Sequence, residues 1–218
     1  GEPLAYIDFW GDTAQMNDIS FSVGADRVTG GYAFRGNIPF HNVQDAINNT
    51  LVESIVNDDG DTLATWNITT FLRGGQYNME IYSLSPDSAA YYWRIMMTGD
   101  GVCDAWDNNG FGLSEIGNEL STPALPTVAQ YAPMANYVWP SIDRGIVDSW
   151  ACSPHVIGVA NYNNIQQYTA INGVEVDLGG IEGEIGFCSS YGPTRTGLQK
   201  PDIAAPGDVT FSAMPLAF

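Results

Sequence analysis

The 218-residue chain is poor in positive charge. Seven basic residues face twenty-five acidic ones, which gives a formal net charge of −18, and Lys200 is the single lysine. Because nucleic-acid backbones and anionic membrane surfaces are bound by clustered Lys and Arg, we expect neither as a partner. No apolar run approaches the ~18 residues that a membrane-spanning helix needs, so no membrane span is expected.

Histidine and cysteine are also scarce. The two histidines, His41 and His155, exclude a histidine-rich metal site. The three cysteines, Cys103, Cys152 and Cys188, lie far apart and show no C-x-x-C spacing. A structural zinc site or a thioredoxin-like motif is therefore not expected, and at most one disulfide can form.

Apolar and aromatic residues are plentiful and alternate with turn residues. Hydrophobic residues make up 44% of the chain, which is a globular composition. Ile19, Phe21 and Val23 alternate with serines, the period of a half-buried strand. Similar short runs recur at roughly 10-residue spacing with Gly, Asp and Pro turns between them. The sequence thus predicts a mainly β fold, an antiparallel, jelly-roll-like β-sandwich over residues 1–109.

Turn residues and prolines delimit the predicted segments. The strands predicted in the first part are residues 4–10, 19–23, 50–56, 62–70, 77–84, 91–97 and 102–106. Prolines spaced through residues 110–145 disfavour long helices and central strands, so we predict a Pro-rich connection there. Further on, residues 156–160 are predicted as a buried strand, and residues 166–168 and 173–177 as two more strands.

Two coupled motifs stand in the last third of the chain. Residues 187–194 have the sequence F-C-S-S-Y-G-P-T, and residues 200–207 have the sequence K-P-D-I-A-A-P-G. Together they resemble the F-S-S-x-G-P-T … K-P-D-I-x-A-P-G stretch of subtilisin-like serine peptidases (subtilases), with Cys188 in place of the usual serine. Residues 149–160 resemble, more loosely, the G-S-P-A-x-A-x-x-V-I-x-V-G-A strand of that family. The resemblance implies a partial subtilase α/β-core segment over residues 146–218.

The first part of the chain resembles a different element of the same family. Some bacterial subtilases carry a β-sandwich insertion between the strand with the oxyanion asparagine and the strand that residues 156–160 resemble. Residues 1–109 are similar to such an insertion in their position along the chain. The turn at residues 57–61 and the strand at residues 101–106 also resemble it. The resemblance implies an insertion domain at 1–109, a connection at 110–145, and a core segment that lacks the nucleophile motif.

The catalytic motifs of subtilases do not occur in this sequence. Those enzymes use Asp, His and Ser in that chain order. Neither His41 nor His155 lies in an H-G-T-H-like motif, and the D-[ST]-G and G-T-S-M-A motifs are absent. Residues 116–119, I-G-N-E, resemble the oxyanion A-G-N-E only superficially and are interpreted as a loop. We therefore assign no catalytic residue and expect the chain alone to be inactive.

The resemblance implies a function for the parent protein. The chain would be a non-catalytic portion, insertion domain plus downstream framework, of a secreted or cell-surface subtilisin-like serine endopeptidase. Its expected partners are the remainder of the peptidase chain or a protein substrate. Two alternatives stay open: a stand-alone β-sandwich binding module for carbohydrate or protein, and a split peptidase completed by another chain.

Carboxylates in the 57–61 turn are candidate metal ligands. Asp58, Asp59 and Asp61 could bind calcium, because that hard cation takes several carboxylate oxygens. The turn lacks the glutamate that completes an EF-hand loop, and a solvated hairpin turn is the alternative. Calcium is the one cofactor that the sequence leaves open.

Other side chains suggest sugar chemistry or a disulfide. Asp104 and Asp107 could serve as paired carboxylates for glycoside hydrolysis, or they are ordinary polar residues at a strand end. In a strand, Asp104 and Trp106 share a face and Asp107 points to the other. Cys152 and Cys188 flank the subtilase-like strands and are candidate disulfide partners. The aromatic residues of the first part form either a sugar-stacking platform or, more often in sandwiches, a core. They are Tyr6, Phe9, Trp10, Tyr77, Tyr82, Tyr91, Tyr92, Trp93 and Trp106.

Overall fold

Contacts within the chain divide it into two units, Gly1–Pro140 and Ser141–Phe218. The computed structural model describes residues 5–27, 33–83, 91–107, 127–138, 145–207 and 209–210. The boundary between the units lies inside the stretch that the sequence predicts as a connection. The I-G-N-E tetrapeptide at 116–119 lies outside the described residues.

Strands dominate the described part of the first unit. They are β1 (Ala5–Asp12), β2 (Ser20–Arg27), β3 (Ala33–Asn37), β4 (His41–Asn42), β5 (Thr50–Val56), β6 (Thr62–Arg73), β7 (Gln76–Ser83), β8 (Tyr91–Thr98) and β9 (Asp104–Asp107). One short helix, α1 (Thr13–Met16), follows β1, and 3₁₀ turns lie at Val43–Ala46 and Ala132–Asn136. Among the described residues, no helix is long and apolar enough to cross a membrane.

The nine strands form two antiparallel sheets. The five-stranded sheet has the order β5-β6-β7-β1-β9. In the four-stranded sheet β2 is central, with β8 along one edge and β3 and β4 following each other along the other edge. The prediction of a mainly β fold with antiparallel strands is confirmed.

The inner faces of the two sheets meet in one hydrophobic core. The Phe9 ring on β1 lies 4.8 Å from the Phe21 ring on β2, measured between centroids. The Trp66 ring on β6 meets the Trp93 ring on β8 edge-on at 5.4 Å. Such aromatic pairs contribute about 0.5–1.5 kcal/mol beyond the area they bury. Other buried members of this core include Ile19, Val23, Ile38, Ile55, Leu63, Ile68, Met79 and Ile81.

The described part of the predicted Pro-rich connection packs on the four-stranded sheet. The Tyr131 ring stacks on Phe34 of β3 at 5.9 Å between centroids. The Arg94 guanidinium of β8 lies 4.3 Å from the Tyr131 ring centre, and its Nη1 atom is 2.9 Å from Asp26 Oδ2. Tyr131 therefore packs on this sheet, and residues 127–138 belong to the first unit.

The second unit contains two small sheets. Its described elements are a 3₁₀ turn at Ser149–Ala151 and the strands β10 (Val159–Tyr162), β11 (Gln167–Thr169), β12 (Glu175–Asp177) and β13 (Ile203–Pro206). β10 and β13 pair in parallel, with Val159 opposite Ile203. β11 and β12 form an antiparallel hairpin, which confirms the two short strands predicted at 166–168 and 173–177.

The predicted buried strand at residues 156–160 is wrong in position and in burial. The strand begins at Val159, and the side chains of Val156, Ile157 and Val159 are 43%, 73% and 55% exposed. Backbone groups of Val156 and Gly158 bond instead to the side chains of Lys200 and Asp202. β10 pairs in parallel with β13, and its last residue, Tyr162, also forms an antiparallel bridge with Ile185.

Candidate functional site

Lys200 and Asp202, both in the K-P-D-I-A-A-P-G motif, join that motif to residues 156–158 of the second unit. The Lys200 side chain is 1% exposed, and its Nζ donates to the Val156 carbonyl at 2.5 Å and to Asp202 Oδ2 at 2.6 Å. The same carboxylate oxygen accepts the Gly158 N–H at 2.7 Å. One lysine and one aspartate thus connect the backbone before β10 to the start of β13.

The Asp202 carboxylate is stabilised in its ionised form. The hydrogen bond from Lys200, followed by the one from the Gly158 N–H, holds its pKa below the ordinary value of 3.8. Both charged groups are engaged with each other and with the backbone. This pair therefore has a structural role and is not arranged as an acid or base for a substrate.

Ser189 and Asn161 make a second connection between the motifs. The buried Ser189 Oγ accepts the Asn161 N–H at 3.0 Å, and Asn161 Nδ2 lies 3.3 Å from Cys188 Sγ. The last glycine of the K-P-D-I-A-A-P-G motif, Gly207, packs against the same amide, because a Cβ atom there would lie 2.9 Å from Asn161 Oδ1. The motif residues that are separate in sequence therefore meet around Asn161.

A cavity of about 220 Å³ lies beside these contacts. It is lined by Val147, Asp148, Ala151, Gly158, Val159, Ala160, Asn161, Cys188, Ser189, Ser190 and Pro201. Hydroxyl and thiol groups reach it, yet none of these described lining residues is a histidine. The cavity therefore lacks the imidazole that would activate a serine or cysteine nucleophile.

The predicted disulfide between Cys152 and Cys188 is wrong. Both residues carry free thiols. Cys152 Sγ donates to the Asp148 carbonyl at 3.4 Å, whereas Cys188 Sγ accepts the Asn161 amide. Cys152 thus has a partner within its own segment, and Cys188 has one on β10.

The outer face of the five-stranded sheet carries facing aromatic and polar side chains. Residues that are opposite in an antiparallel pair project to the same face, and the alternate positions Phe9, Met79 and Ile81 are in the core. The intervening residues therefore project outward. These outward pairs are Tyr6–Tyr82, Asp8–Glu80 and Trp10–Asn78.

Asp8 is the titratable group most affected by this face. Burial raises its pKa above 3.8, and Glu80 on the neighbouring strand raises it further. Hydrogen bonds from the Trp10 and Asn78 side chains act in the opposite direction. Asp8 therefore keeps its proton at a higher pH than an ordinary aspartate.

The β9 strand places its two aspartates on opposite faces. Trp106 is opposite Asp8 and Asp104 is opposite Trp10, while Asp107 is opposite the inward-facing Ile7. The predicted sharing of one face by Asp104 and Trp106 is confirmed. The side chains of the candidate pair Asp104 and Asp107 therefore do not meet on one face. The carboxylates of Asp8 and Glu80, which are not candidates from the sequence, lie opposite each other on the outer face.

The aromatic residues of the first part divide between core and surface. Phe9 is buried, and Tyr77 and Trp93 pack against the core. Tyr92 is exposed on the other sheet, and the side chain of Tyr91 lies outside the described atoms. The outward set on the five-stranded sheet is Tyr6, Trp10, Tyr82 and Trp106. The nine aromatic residues are therefore neither all part of the core nor all part of a sugar-stacking platform.

Across the outer face of β5, β6 and β7 runs an open groove of about 690 Å³, here called the outer groove. Its lining combines amides, hydroxyls, one carboxylate and two rings. These residues are Asn48, Asn49, Thr50, Thr69, Thr70, Phe71, Glu80 and Tyr82. This groove is not predictable from local sequence patterns, because its members come from three strands and a turn.

The calcium candidates Asp58, Asp59 and Asp61 lie in the exposed turn between β5 and β6. Asn57 closes this turn, because its Oδ1 accepts the backbone N–H of Asp59 at 3.0 Å and of Asp61 at 2.8 Å. Within the described ranges, no group of three or more His, Cys, Asp or Glu side chains is suited to hold a metal ion. Calcium binding at this turn stays a prediction.

His41 links the edges of the two sheets. Its Nε2 atom lies 2.9 Å from Glu53 Oε1 on β5, and its Nδ1 atom lies 3.9 Å from Asp45 Oδ2. His155 lies in the second unit, and its backbone N–H donates to Ser153 Oγ at 3.2 Å. The His41 side chain is thus in contact with carboxylates from β5 and from the turn after β4.

Comparison of the chain with protein-family models, with curated proteins and with solved structures gave no match.

Proposed function

We propose that this chain is a non-catalytic portion of a subtilisin-like serine endopeptidase, with an insertion domain at residues 1–109 and a downstream framework at residues 146–218. The observation that carries the proposal is the parallel pairing of Val159–Tyr162 with Ile203–Pro206. These strands belong to the two segments that the motif resemblance brings together. Lys200 adds a side-chain bond between the same segments, and Ser189 of the 187–194 motif bonds to the backbone of Asn161 on β10.

The exposure of this parallel pair supports a framework that other elements complete. Parallel sheets occur almost only where both faces are covered, and an isolated pair of strands is marginal in water. Val159 and Ile203, which face each other, are 55% and 57% exposed. We infer that further strands and helices of the peptidase cover them. A secreted or cell-surface location follows from this class of enzyme and is part of the proposal.

The chemistry of the chain fits a framework and not a catalytic centre. No triad motif occurs in the sequence, and the charged pair Lys200–Asp202 is engaged in structural bonds. We therefore expect no peptide hydrolysis from these 218 residues alone. Catalysis would come from Asp, His and Ser residues elsewhere in the parent protein.

The first test is to sequence the coding region on both sides of this segment and to label the natural product. Upstream D-[ST]-G and H-G-T-H motifs with a downstream G-T-S-M-A motif are expected. A fluorophosphonate probe, which reacts with activated serines, should label a secreted protein whose tryptic peptides include residues of this chain.

A natural product of this length that the probe leaves unlabelled would overturn the proposal. The same probe on the isolated 218-residue chain is the matched control and should give no label. Recovery of the labelled serine on a separate, co-purifying chain would instead establish the split-peptidase alternative.

A further inference from the structure

The outer groove has the composition of a saccharide site, and we propose that it binds a neutral oligosaccharide. This inference concerns the first unit alone and does not rest on the peptidase proposal. The groove lies on regular strands, which hold side chains more precisely than loops do. Its volume of about 690 Å³ is within the range of small-molecule sites.

Two aromatic rings supply the apolar part of the groove. Phe71 on β6 is 37% exposed, and Tyr82 on β7 is half-buried. The face of an aromatic ring carries partial negative charge, so it attracts the C–H groups on one face of a sugar ring. The Tyr82 ring is supported by the Tyr6 ring, at 5.8 Å between centroids. Such support fixes the orientation of the surface on which a sugar would pack.

Amides and hydroxyls supply the polar part. The hydroxyls of Thr50 and Thr69 lie 2.9 Å apart across β5 and β6, so each can both donate and accept. The amide side chains of Asn48 and Asn49 belong to the same lining and offer donors and acceptors. Sugar hydroxyls need partners of both kinds, and this lining provides them beside the rings.

The backbone at one end of the groove adopts a rare conformation. Asn48 has φ of 57°, in the left-handed region that non-glycine residues seldom adopt. It follows the 3₁₀ turn Val43–Ala46, and the next residue, Asn49, donates its N–H to the Ala46 carbonyl. The turn therefore holds Asn48 in this conformation at the groove, and Asn adopts it more readily than most non-glycine residues do.

The charges around the groove favour a neutral ligand. Glu80 is the single carboxylate in the lining, and its Oε1 lies 3.4 Å from the Arg73 guanidinium. That guanidinium also lies 4.6 Å from the Phe71 ring centre, so its charge is already engaged. With a chain net charge of −18, an anionic glycan would be repelled. A neutral oligosaccharide avoids this repulsion and can donate hydroxyls to Glu80.

The test is calorimetric titration of the full 218-residue chain with neutral hexasaccharides, namely cello-, xylo-, manno- and laminari-oligosaccharides. At least one is expected to bind in the micromolar to millimolar range. Oligogalacturonate serves as the anionic comparison and is expected not to bind. The variants Tyr82→Ala and Phe71→Ala should each weaken binding by about tenfold. Tyr92→Ala, an exposed ring on the other sheet, is the matched control and should bind as the wild type does.

A second measurement keeps the test decisive if Tyr82→Ala does not fold. In the wild-type chain, amide exchange of β5 and β6 should slow on addition of the bound saccharide, with no change in the second unit. Absence of binding to every neutral hexasaccharide at millimolar concentration would overturn the proposal. Unchanged affinity in a folded Tyr82→Ala variant, or binding of an extended peptide to the β5 edge in place of saccharide, would do so too.

Discussion

The two units of the chain differ in where their apolar side chains lie. In the first, antiparallel sheets turn their inner faces toward each other, and Phe9, Phe21 and Trp66 are almost fully buried. In the second, large apolar side chains are exposed, among them Ile203 of the parallel pair and Ile157 and Phe187 outside its strands. An antiparallel two-sheet unit can cover its own apolar faces with its own strands, whereas a parallel pair needs covering elements from outside it. The described residues of the first unit thus form a buried core, whereas those of the second leave large apolar side chains exposed.

Replacing one tryptophan in each unit by alanine should show the difference in burial most strongly, as a difference in lost stability. Trp66→Ala removes a side chain that is 1% exposed and is expected to cost about 3–5 kcal/mol of unfolding free energy. Trp150→Ala removes one that is 84% exposed and should change stability by less than about 0.5 kcal/mol. Urea denaturation followed by circular dichroism measures both. Equal losses in the two variants would contradict the comparison.

Removing the Lys200 ammonium should loosen the second unit and leave the first unchanged. Lys200→Met deprives the Val156 carbonyl of its donor, which is expected to cost about 1–3 kcal/mol in local stability. Amide exchange at Val159–Tyr162 and residues 203–205 should accelerate while exchange in β1 and β7 stays constant. Gln199→Met, at the exposed neighbouring position, is the control and should have no such effect. Uniform acceleration across both units would show that Lys200 does not act locally.

Lowering the pH is expected to reduce the stability that Asp202 contributes in the second unit and to increase the stability that Asp8 contributes in the first. The pKa of Asp202 lies below 3.8, chiefly because of the Lys200 hydrogen bond, so its stabilisation is present above that value and is lost as pH falls through the lowered pKa. The pKa of Asp8 lies above 3.8, chiefly because of burial, so its stabilisation is present below that value and is lost as pH rises through the raised pKa.

Two asparagine variants separate these contributions. Asp202→Asn should be less stable than the wild type at neutral pH, and Asp8→Asn should be equally or more stable. Both differences should disappear in acid, where the wild-type carboxyls are protonated. Denaturation midpoints measured from neutral to acidic pH give the answer, and a shift of the same sign in both variants at neutral pH would refute the expectation.

Reduction should have the smallest effect of all. Cys152 and Cys188 carry free thiols, so a reducing agent is expected to leave the melting temperature of both units unchanged. A disulfide between them would contribute about 2–4 kcal/mol, and reduction would then lower the melting temperature of the second unit. Thiol titration of the denatured, unreduced chain should find all three cysteine sulfurs reactive.

Periodic and turn-bounded segments of the first unit were predictable from sequence. The alternation of Ile19, Phe21 and Val23 identified β2, and turn residues on both sides fixed β5 at Thr50–Val56. β3 and β4 were missed because Ala33–Asn37 and His41–Asn42 have no apolar alternation; pairing with β2 makes them strands. Local pattern specifies a strand only where one of its faces is consistently apolar.

The sites were less predictable, because they depend on partners distant in sequence. Asp8 and Glu80 converge only through the β1–β7 register, and the outer groove combines Asn48, Thr69 and Tyr82 from separate elements. The apolar run at residues 156–160 suggested burial because its composition is that of a core strand. Its exposure depends on which elements cover it, and local composition carries no information on that point.

The buried ammonium of Lys200 also allows the opening of the second unit to be measured by chemical modification. Since this is the single lysine in the sequence and its side chain is 1% exposed, an amine-reactive reagent can reach a lysine only after the second unit opens. The rate of modification at that one position therefore measures how often this part of the molecule opens. Mass spectrometry measures this rate without an engineered label. It can also show whether a segment that covers the second unit makes the opening less frequent.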